Sequence, residues 1–253
     1  MKLIVTDLDN TLLRSDKTIS EYTAKVFESA RKKGCVIAFA TARGCAVSRF
    51  IEVIKPDFII SNGGASIQCQ GEIIYRSMVS AQDVKKIIDM SCEFTNGKAL
   101  ITVENDDGYY CNFVPTDPDR RAVFTYTDFE NFHAAAYKVS PELQEDAWAE
   151  AIAEACPNCD LLNFTGEKWR RYAAHGANKE NALKIIVKHI GVELEDVIAF
   201  GDDINDLRML QLAGTAVAVS NAIDEVKAAA DFVTDSNDQD GVAVWLEKYF
   251  GML

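Results

Sequence analysis

Six short runs in this 253-residue chain are continuously apolar and rich in β-branched residues, and each stops at a polar loop: Leu3–Thr6, Val36–Ala40, Phe58–Ile60, Val197–Phe200, Ala216–Val219 and Phe232–Thr234. An alternating strand buries one face, whereas an unbroken apolar run suits burial on both, as in a parallel sheet covered by helices. Helical patterns lie between most of the runs. Ser20 is placed to cap a helix that carries Tyr22, Val26, Phe27 and Ala30 on one face and ends at Gly34. Asn178 is placed to cap another, with Ala182, Ile185, Ile186 and Ile190 inward. Strand–helix alternation at both ends of the chain predicts an α/β fold, a doubly wound parallel-sheet core.

The middle reads differently. A hairpin is expected at Ser66–Tyr75 and a helix over Ala81–Phe94, then strands near Ala99–Val103, Tyr109–Phe113 and Ala134–Val139. A helix near Pro141–Cys156 and strands near Leu161–Phe164 and Trp169–Ala173 follow, with Pro115–Asp119 only a turn-rich loop. Strands adjacent to strands indicate an antiparallel α+β unit. The expected organisation is a core of residues 1–80 and 174–253 with an insertion over 81–173.

Hydrophobic residues make up 48% and charged residues 26%, which supports a packed core and excludes wholesale disorder. No apolar run approaches the roughly 18–20 residues of a membrane span. The start, Met1-Lys2-Leu3-Ile4-Val5-Thr6, runs straight into acidic residues and does not read as a signal peptide. A cytoplasmic protein without a membrane partner is expected. The net charge of −13 argues against nucleic acid as a partner. An anionic small substrate would need a local cation, from a metal or from Lys and Arg. Among seven cysteines, Cys156 and Cys159 form one C-x-x-C pair that could be half a zinc site or a redox pair. There is no second pair, and His175 and His189 are not at finger spacing, so reduced thiols are the expectation.

The first strand ends in Asp7-Leu8-Asp9-Asn10-Thr11, at the strand end where open α/β sheets bind ligands. Two carboxylates this close repel unless one is protonated or a cation lies between them; an acidic loop capping the next helix is the plainer alternative. The second strand ends in Thr41-Ala42-Arg43, a hydroxyl and a guanidinium able to hold a phosphoryl oxygen. Lys179 opens a helix, where the macrodipole disfavours a cation unless an anion stands before it. Gly201-Asp202-Asp203-Ile204-Asn205-Asp206 supplies more hard oxygen donors than capping needs, suited to Mg²⁺. Together these make a phosphoryl-transfer set.

In this combination the chain resembles the haloacid dehalogenase superfamily of phosphohydrolases, in its Cof-like branch with a large α+β cap (class IIB). Asp7–Thr11, Thr41, Lys179 and Gly201–Asp206 match its four motifs in order. Ile59–Ala65, with Asn62-Gly63, resembles the branch's Asn-Gly loop, and Ala218–Ala222 and Ser236–Val242 resemble its C-terminal signatures. The branch usually has Gly where this chain has Asn10. The segment before Lys179, His175-Gly176-Ala177-Asn178, also departs from the commonest version. The resemblance implies a Mg²⁺-dependent phosphatase acting on small phosphorylated metabolites, with sugar phosphates as the expected class. It implies Asp7 as nucleophile forming an aspartyl-phosphate, and Asp9 as acid and base. Asp7, the Asp9 carbonyl and Asp202 would hold Mg²⁺, with Asp206 supporting them from behind. Thr41, Lys179, Arg43, Asn62 and Asn205 would serve the phosphoryl group.

Other readings are a phosphomutase of the same superfamily and a receiver-like phosphoacceptor module. The module would need an Asp where the third strand leads into Ser61-Asn62, and it is about half this length. A dinucleotide-binding oxidoreductase lacks its G-x-G-x-x-G after the first strand. In the insertion, Arg170 and Arg171 alternate along one strand, so only one can face the core. They are either two solvated side chains or include one contact to the substrate's leaving group.

Overall fold

A computed structural model describes residues 1–44, 47–163 and 168–251. They form two compact units, one of residues 1–43, 47–74 and the chain from 178 onward, the other of 75–177 with Gly44. The junctions fall at 74/75 and 177/178, against 80/81 and 173/174 in the sequence reading.

The chain begins with β1 (Leu3–Thr6), α1 (Glu21–Lys32), β2 (Val36–Ala40), α2 (Ser48–Ile54), β3 (Phe58–Ser61), β4 (Ser66–Cys69) and β5 (Glu72–Arg76). The inserted stretch gives α3 (Ala81–Phe94), β6 (Ile101–Asn105), β7 (Gly108–Cys111), α4 (Pro118–Arg121), β8 (Phe124–Tyr126), β9 (Lys138–Pro141), α5 (Asp146–Ala155), β10 (Cys159–Asn163) and β11 (Arg170–Ala174). The return gives α6 (Lys179–Ile190), β12 (Val197–Gly201), α7 (Ile204–Leu212), β13 (Thr215–Val219), α8 (Asp224–Ala229), β14 (Phe232–Thr234) and α9 (Gly241–Phe250).

All six continuous apolar runs are strands of one eight-stranded sheet, ordered β14-β13-β12-β1-β2-β3-β4-β5. β1 pairs in parallel with β2 on one side and with β12 on the other. Every residue of β1 and β12 is buried, which is why neither alternates. From β1 the chain builds outward through β2 and β3, and after the insertion it builds the other way through β12, β13 and β14. The carboxyl end of β1 is therefore the topological switch point, where such sheets bind ligands.

The Ser20 side chain caps α1 by accepting from the Thr23 N–H, and Val26, Phe27 and Ala30 are buried; Tyr22 is half-buried. Asn178 caps α6 by accepting from the Asn181 N–H. The inward face of α6 is Ala182, Leu183, Ile186 and Val187. Ile185 and Ile190, expected inward, are half-buried because the face lies one step round the helix.

The inserted unit is a six-stranded sheet, ordered β10-β11-β9-β6-β7-β8, antiparallel except between β7 and β8. Side chains of α3 and α5 share its apolar core. The helix expected from Pro141 begins only at Asp146. Pro141 ends β9 opposite Ile101, and the chain stays extended while the Leu143 N–H donates to the Lys168 carbonyl. Proline is tolerated at a strand end as well as at a helix start, so the sequence signal was ambiguous. The turn-rich stretch hides the short helix α4, capped by Asp117. Strand β8 was not foreseen; it has three residues, largely exposed, and offers no alternation to read. Phe164, expected to close the strand observed as β10, lies outside the described residues. Among the described residues no helix is long and apolar enough to cross a membrane.

Gly64 shows how tightly the loop after β3 is set. Its φ is +109°, and a Cβ there would lie 2.2 Å from the Asn178 carbonyl carbon. Gly34 has φ +82° with nothing within 4 Å. Gly34→Ala is therefore expected to cost about 1 kcal/mol from conformation alone. Gly64→Ala is expected to cost more, upwards of about 2 kcal/mol, by adding displacement of the α6 start. Urea unfolding midpoints check this; equal losses would contradict the close approach.

Candidate active site

The site grows from the ends of β1, β2 and β12 and the starts of α6 and α7. The decisive group is Lys179, the first residue of α6 and buried. Its ammonium donates to Asp7 Oδ1 and Asp206 Oδ1, each at 2.6 Å. The cation that the macrodipole disfavours is thus compensated by two carboxylates. Asp206 also accepts through Oδ2 from the backbone N–H groups of Asp202 and Asp203, at 3.0 and 3.2 Å. Gly201 permits this, since a Cβ there would lie 2.4 Å from the Asp206 Cβ. Thr11 donates its hydroxyl proton to Asp202 Oδ1 at 2.6 Å.

Asp9 turns the other way. Arg43 clamps its carboxylate with Nε and Nη2, both at 2.7 Å, and Lys17 donates to it at 2.9 Å. Asn10 has φ +57°, the left-handed region that Gly or Asn enters most easily, so Asn in place of the usual Gly keeps the turn. Asn221 donates to the Asn10 carbonyl at 2.7 Å and accepts from the Asn237 N–H at 2.9 Å. Asn237 donates in turn to the Leu13 carbonyl at 2.9 Å, so both C-terminal signatures buttress the loop after β1.

The electrostatics follow from burial. Burial pushes the Asp7 carboxyl well above the ordinary value; Lys179 opposes this, while Asp206 and Asp202 add to it. Burial, against the Thr11 hydrogen bond and reinforced by Asp206, lifts Asp202 to about 7. Burial would lower the Lys179 pKa, but Asp206 and Asp7 outweigh it and hold the ammonium above the ordinary value. Burial would raise Asp9, yet Arg43 and Lys17 hold it down to about 2.

A family model described as haloacid dehalogenase-like hydrolase matches residues 4–246. The chain belongs to this family. It is a hydrolase of the phosphatase type. It is 30% identical to the 5-amino-6-(5-phospho-D-ribitylamino)uracil phosphatase YitU of Bacillus subtilis (strain 168), over 99% of this chain and 98% of that one. It is 29% identical to the phosphatase YwpJ of the same organism, over 96% and 98%. Among solved structures it is similar to the HAD subclass IIB sugar phosphatase BT4131, with TM-score 0.85, 26% identity and full coverage of both chains.

Haloacid dehalogenase-like phosphatases generally use a divalent metal, and the donor set here fits one. Asp7, Asp202 and Asp206 each offer a carboxylate oxygen, all within 4.8 Å of one another. Lys179 takes Oδ1 of Asp7 and Thr11 takes Oδ1 of Asp202, which leaves an Oδ2 on each for a cation. Both oxygens of Asp206 are engaged, so it braces the turn and Lys179.

Thr41 is buried, and its hydroxyl accepts from the Arg43 N–H at 3.1 Å, leaving its own proton to donate. Arg43, expected at the phosphoryl group, has its guanidinium on Asp9 instead. Asn62 is buried with an Oδ1 that accepts no hydrogen bond, while its N–H donates to the Arg43 carbonyl at 2.8 Å. Asn205 lies half-buried on the first turn of α7. Sequence reasoning missed Lys17, whose φ of +62° belongs to a turn with no motif to mark it. Thr11 stands within the first motif, which by itself assigns it no role. Arg170 and Arg171 of the inserted unit are both buried, which corrects the reading of two solvated side chains; Arg170 Nη2 lies 2.5 Å from Asp146.

The Asp202 shift sets a pH dependence in the chelated protein. Between the ordinary value of 3.8 and about 7 the native state binds more protons than the unfolded chain. This contribution to stability therefore falls as pH rises through that window. A cation opposes the loss most where Asp202 is already ionised. The rise in Tm on adding Mg²⁺ after EDTA treatment is expected to be larger at pH 8 than at pH 5, and to shrink in Asp202→Asn. Equal increments at both pH values would contradict the assignment.

Proposed function

We propose that this enzyme is a Mg²⁺-dependent phosphatase that hydrolyses a small phosphorylated metabolite, a sugar phosphate, through an aspartyl-phosphate on Asp7. The observation that carries the reading is the Lys179 ammonium bridging Asp7 and Asp206 at the end of β1. Buried cation and carboxylates there create a polarised pocket wall for a phosphoryl dianion. Asp7, Asp202 and the Asp9 carbonyl would hold Mg²⁺, with Asp206 behind them, and the ion would supply the remaining positive charge.

An Asp7 carboxylate oxygen attacks phosphorus, and the bond from phosphorus to the leaving oxygen breaks. Asp9 gives that oxygen a proton, then takes one from the water that attacks the phosphoenzyme. Inorganic phosphate leaves and Asp7 is restored. Asp9 must part from Arg43 and Lys17 to carry the proton, because both hold it ionised. Lys179, Thr41 and Asn205 orient the phosphoryl oxygens. The unit of residues 75–177 serves as the cap that selects the leaving group.

A cytoplasmic location suits the thiols. The six described cysteines are free, and burial raises both Cys156 and Cys159, the latter to about 12, so they stay protonated and poorly reactive.

The test is a screen of phosphorylated metabolites with and without Mg²⁺. Turnover of sugar phosphates that stops in EDTA and returns with Mg²⁺ is expected. Asp7→Asn, isosteric and folded, is expected to retain less than about 10⁻³ of the rate, since an amide cannot form the intermediate. Full activity in EDTA or in Asp7→Asn would overturn the mechanism.

A further inference from the structure

Residues 13–20, between the first motif and α1, form no regular element, yet they are held at several points. The Arg14 carbonyl accepts from the Lys17 N–H at 2.8 Å, and the Arg14 N–H donates to the Thr18 carbonyl at 3.1 Å, which closes a turn. Asp16 Oδ1 tightens it by accepting from the Thr18 N–H at 3.0 Å and the Thr18 hydroxyl at 2.6 Å. Lys17 stands inside this turn at φ +62°, a conformation that a residue with a Cβ adopts at a cost. The loop before α9 clamps the turn from outside. Arg14 donates to both oxygens of Asp240, from Nε at 3.1 Å and from Nη2 at 2.5 Å. Ser15 donates its N–H and its hydroxyl to the two oxygens of Asp238, both at 2.7 Å. The clamping loop is itself tightly set, since a Cβ on Gly241 would lie 1.9 Å from the Asp235 carbonyl oxygen.

The clamped turn delivers one group to the site, the Lys17 ammonium, 2.9 Å from Asp9 Oδ1. It is the second cation on that carboxylate, because Arg43 already places Nε on Oδ2 and Nη2 on Oδ1. The two cations are held differently. The Arg43 side chain is 10% exposed, and its guanidinium lies over the Phe50 ring, 5.2 Å from the ring centre. Lys17 is half-buried and reaches Asp9 on a flexible stem. A pair of this exposure contributes little to stability. The contacts from Asn237 to the Leu13 carbonyl and from Thr23 to Asp240 already tie the neighbouring chain together. The exposed Asp238 clamp therefore adds chiefly the orientation of the turn, and with it the place of Lys17.

We propose that Lys17 is a positioning residue for Asp9, presented by the turn that Asp238 and Asp240 clamp, and that it helps Arg43 hold the Asp9 carboxylate until substrate displaces it. This rests on the acid–base role given to Asp9 above. With both oxygens directed at cations, Asp9 must turn from them to reach a leaving oxygen. A substrate whose leaving oxygen needs a proton bears the cost of that release. A substrate that departs as a stable anion does not.

The test compares the sugar phosphate found by the screen, whose alkoxide needs a proton, with p-nitrophenyl phosphate, which departs as a stable phenolate. kcat/KM covers the steps up to release of the leaving group, so hydrolysis of the common phosphoenzyme drops out. Lys17→Met is expected to raise the ratio of kcat/KM, sugar phosphate over p-nitrophenyl phosphate, by about 3- to 10-fold, the scale of one partly exposed charged hydrogen bond. Lys17→Arg reaches the same oxygen with its charge kept and is expected to return the ratio to within about twofold of wild type. Asp238→Ala, at an exposed position that does not touch Asp9, is expected to shift the ratio the same way by less. It is expected to add nothing on top of Lys17→Met, since both act through one contact. A turn with only a structural role would lower Tm in these variants and leave the ratio alone. An unchanged or lowered ratio in Lys17→Met would overturn the positioning role, and additive shifts in the double variant would overturn the clamp. Asp9→Asn separates this proposal from the reading it rests on, and is expected to depress the sugar phosphate more than p-nitrophenyl phosphate. That selective loss, with an unchanged ratio in Lys17→Met, would overturn the positioning role and leave the acid role standing. Equal losses on both substrates in Asp9→Asn, or no turnover of either by wild type, would overturn the acid–base reading and the positioning role with it.

Discussion

A single buried ammonium organises the catalytic unit. Lys179 reaches two carboxylates at 2.6 Å, one after β1 and one on the first turn of α7, and thereby ties three elements far apart in sequence. Removing one partner from such a buried set typically costs about 3–5 kcal/mol, because the remaining charges lose compensation. The supporting features follow from this constraint. Gly64 lets the loop after β3 approach the start of α6, and Gly201 gives the Asp206 side chain room to receive the backbone N–H groups of Asp202 and Asp203.

The same burial makes the site chemically ready. Asp7 and Asp202 are pushed toward protonation by desolvation and by the nearby Asp206 carboxylate, so a cation that neutralises them gains from relieving that repulsion. Asp9 has the opposite environment, held ionised by Arg43 and Lys17. Two carboxylates two residues apart thus have opposite environments, so in the proposed mechanism a bound cation would have to hold Asp7 ionised and Asp9 would have to leave Arg43 and Lys17 to carry a proton.

Much of this was legible in the sequence because it depends on local pattern. Unbroken apolar runs mark β1, β2, β3, β12 and β13, since burial on both faces removes alternation. The acids, Thr41 and Lys179 mark themselves by standing at strand ends and a helix start. The family resemblance supplied their roles, which spacing alone did not. The inserted unit was less readable. Pro141 signals a helix start and a strand end equally well, and β8 is too short to show a period. The partners of Asp9 come from a turn and from the β2 loop, and neither spacing nor composition announces that both cations converge on one carboxylate. Arg170 and Arg171 alternate as a strand requires, but that both faces of the sheet are buried there is a tertiary fact.

The most direct measurement is an acid-quenched single turnover with a substrate labelled in its phosphoryl group, followed by peptide mapping. Label bound to the protein early in the turnover, located on Asp7 and lost as phosphate is released, is the predicted result. Turnover without labelled protein, or label on any other residue, would contradict the assignment of Asp7 as nucleophile.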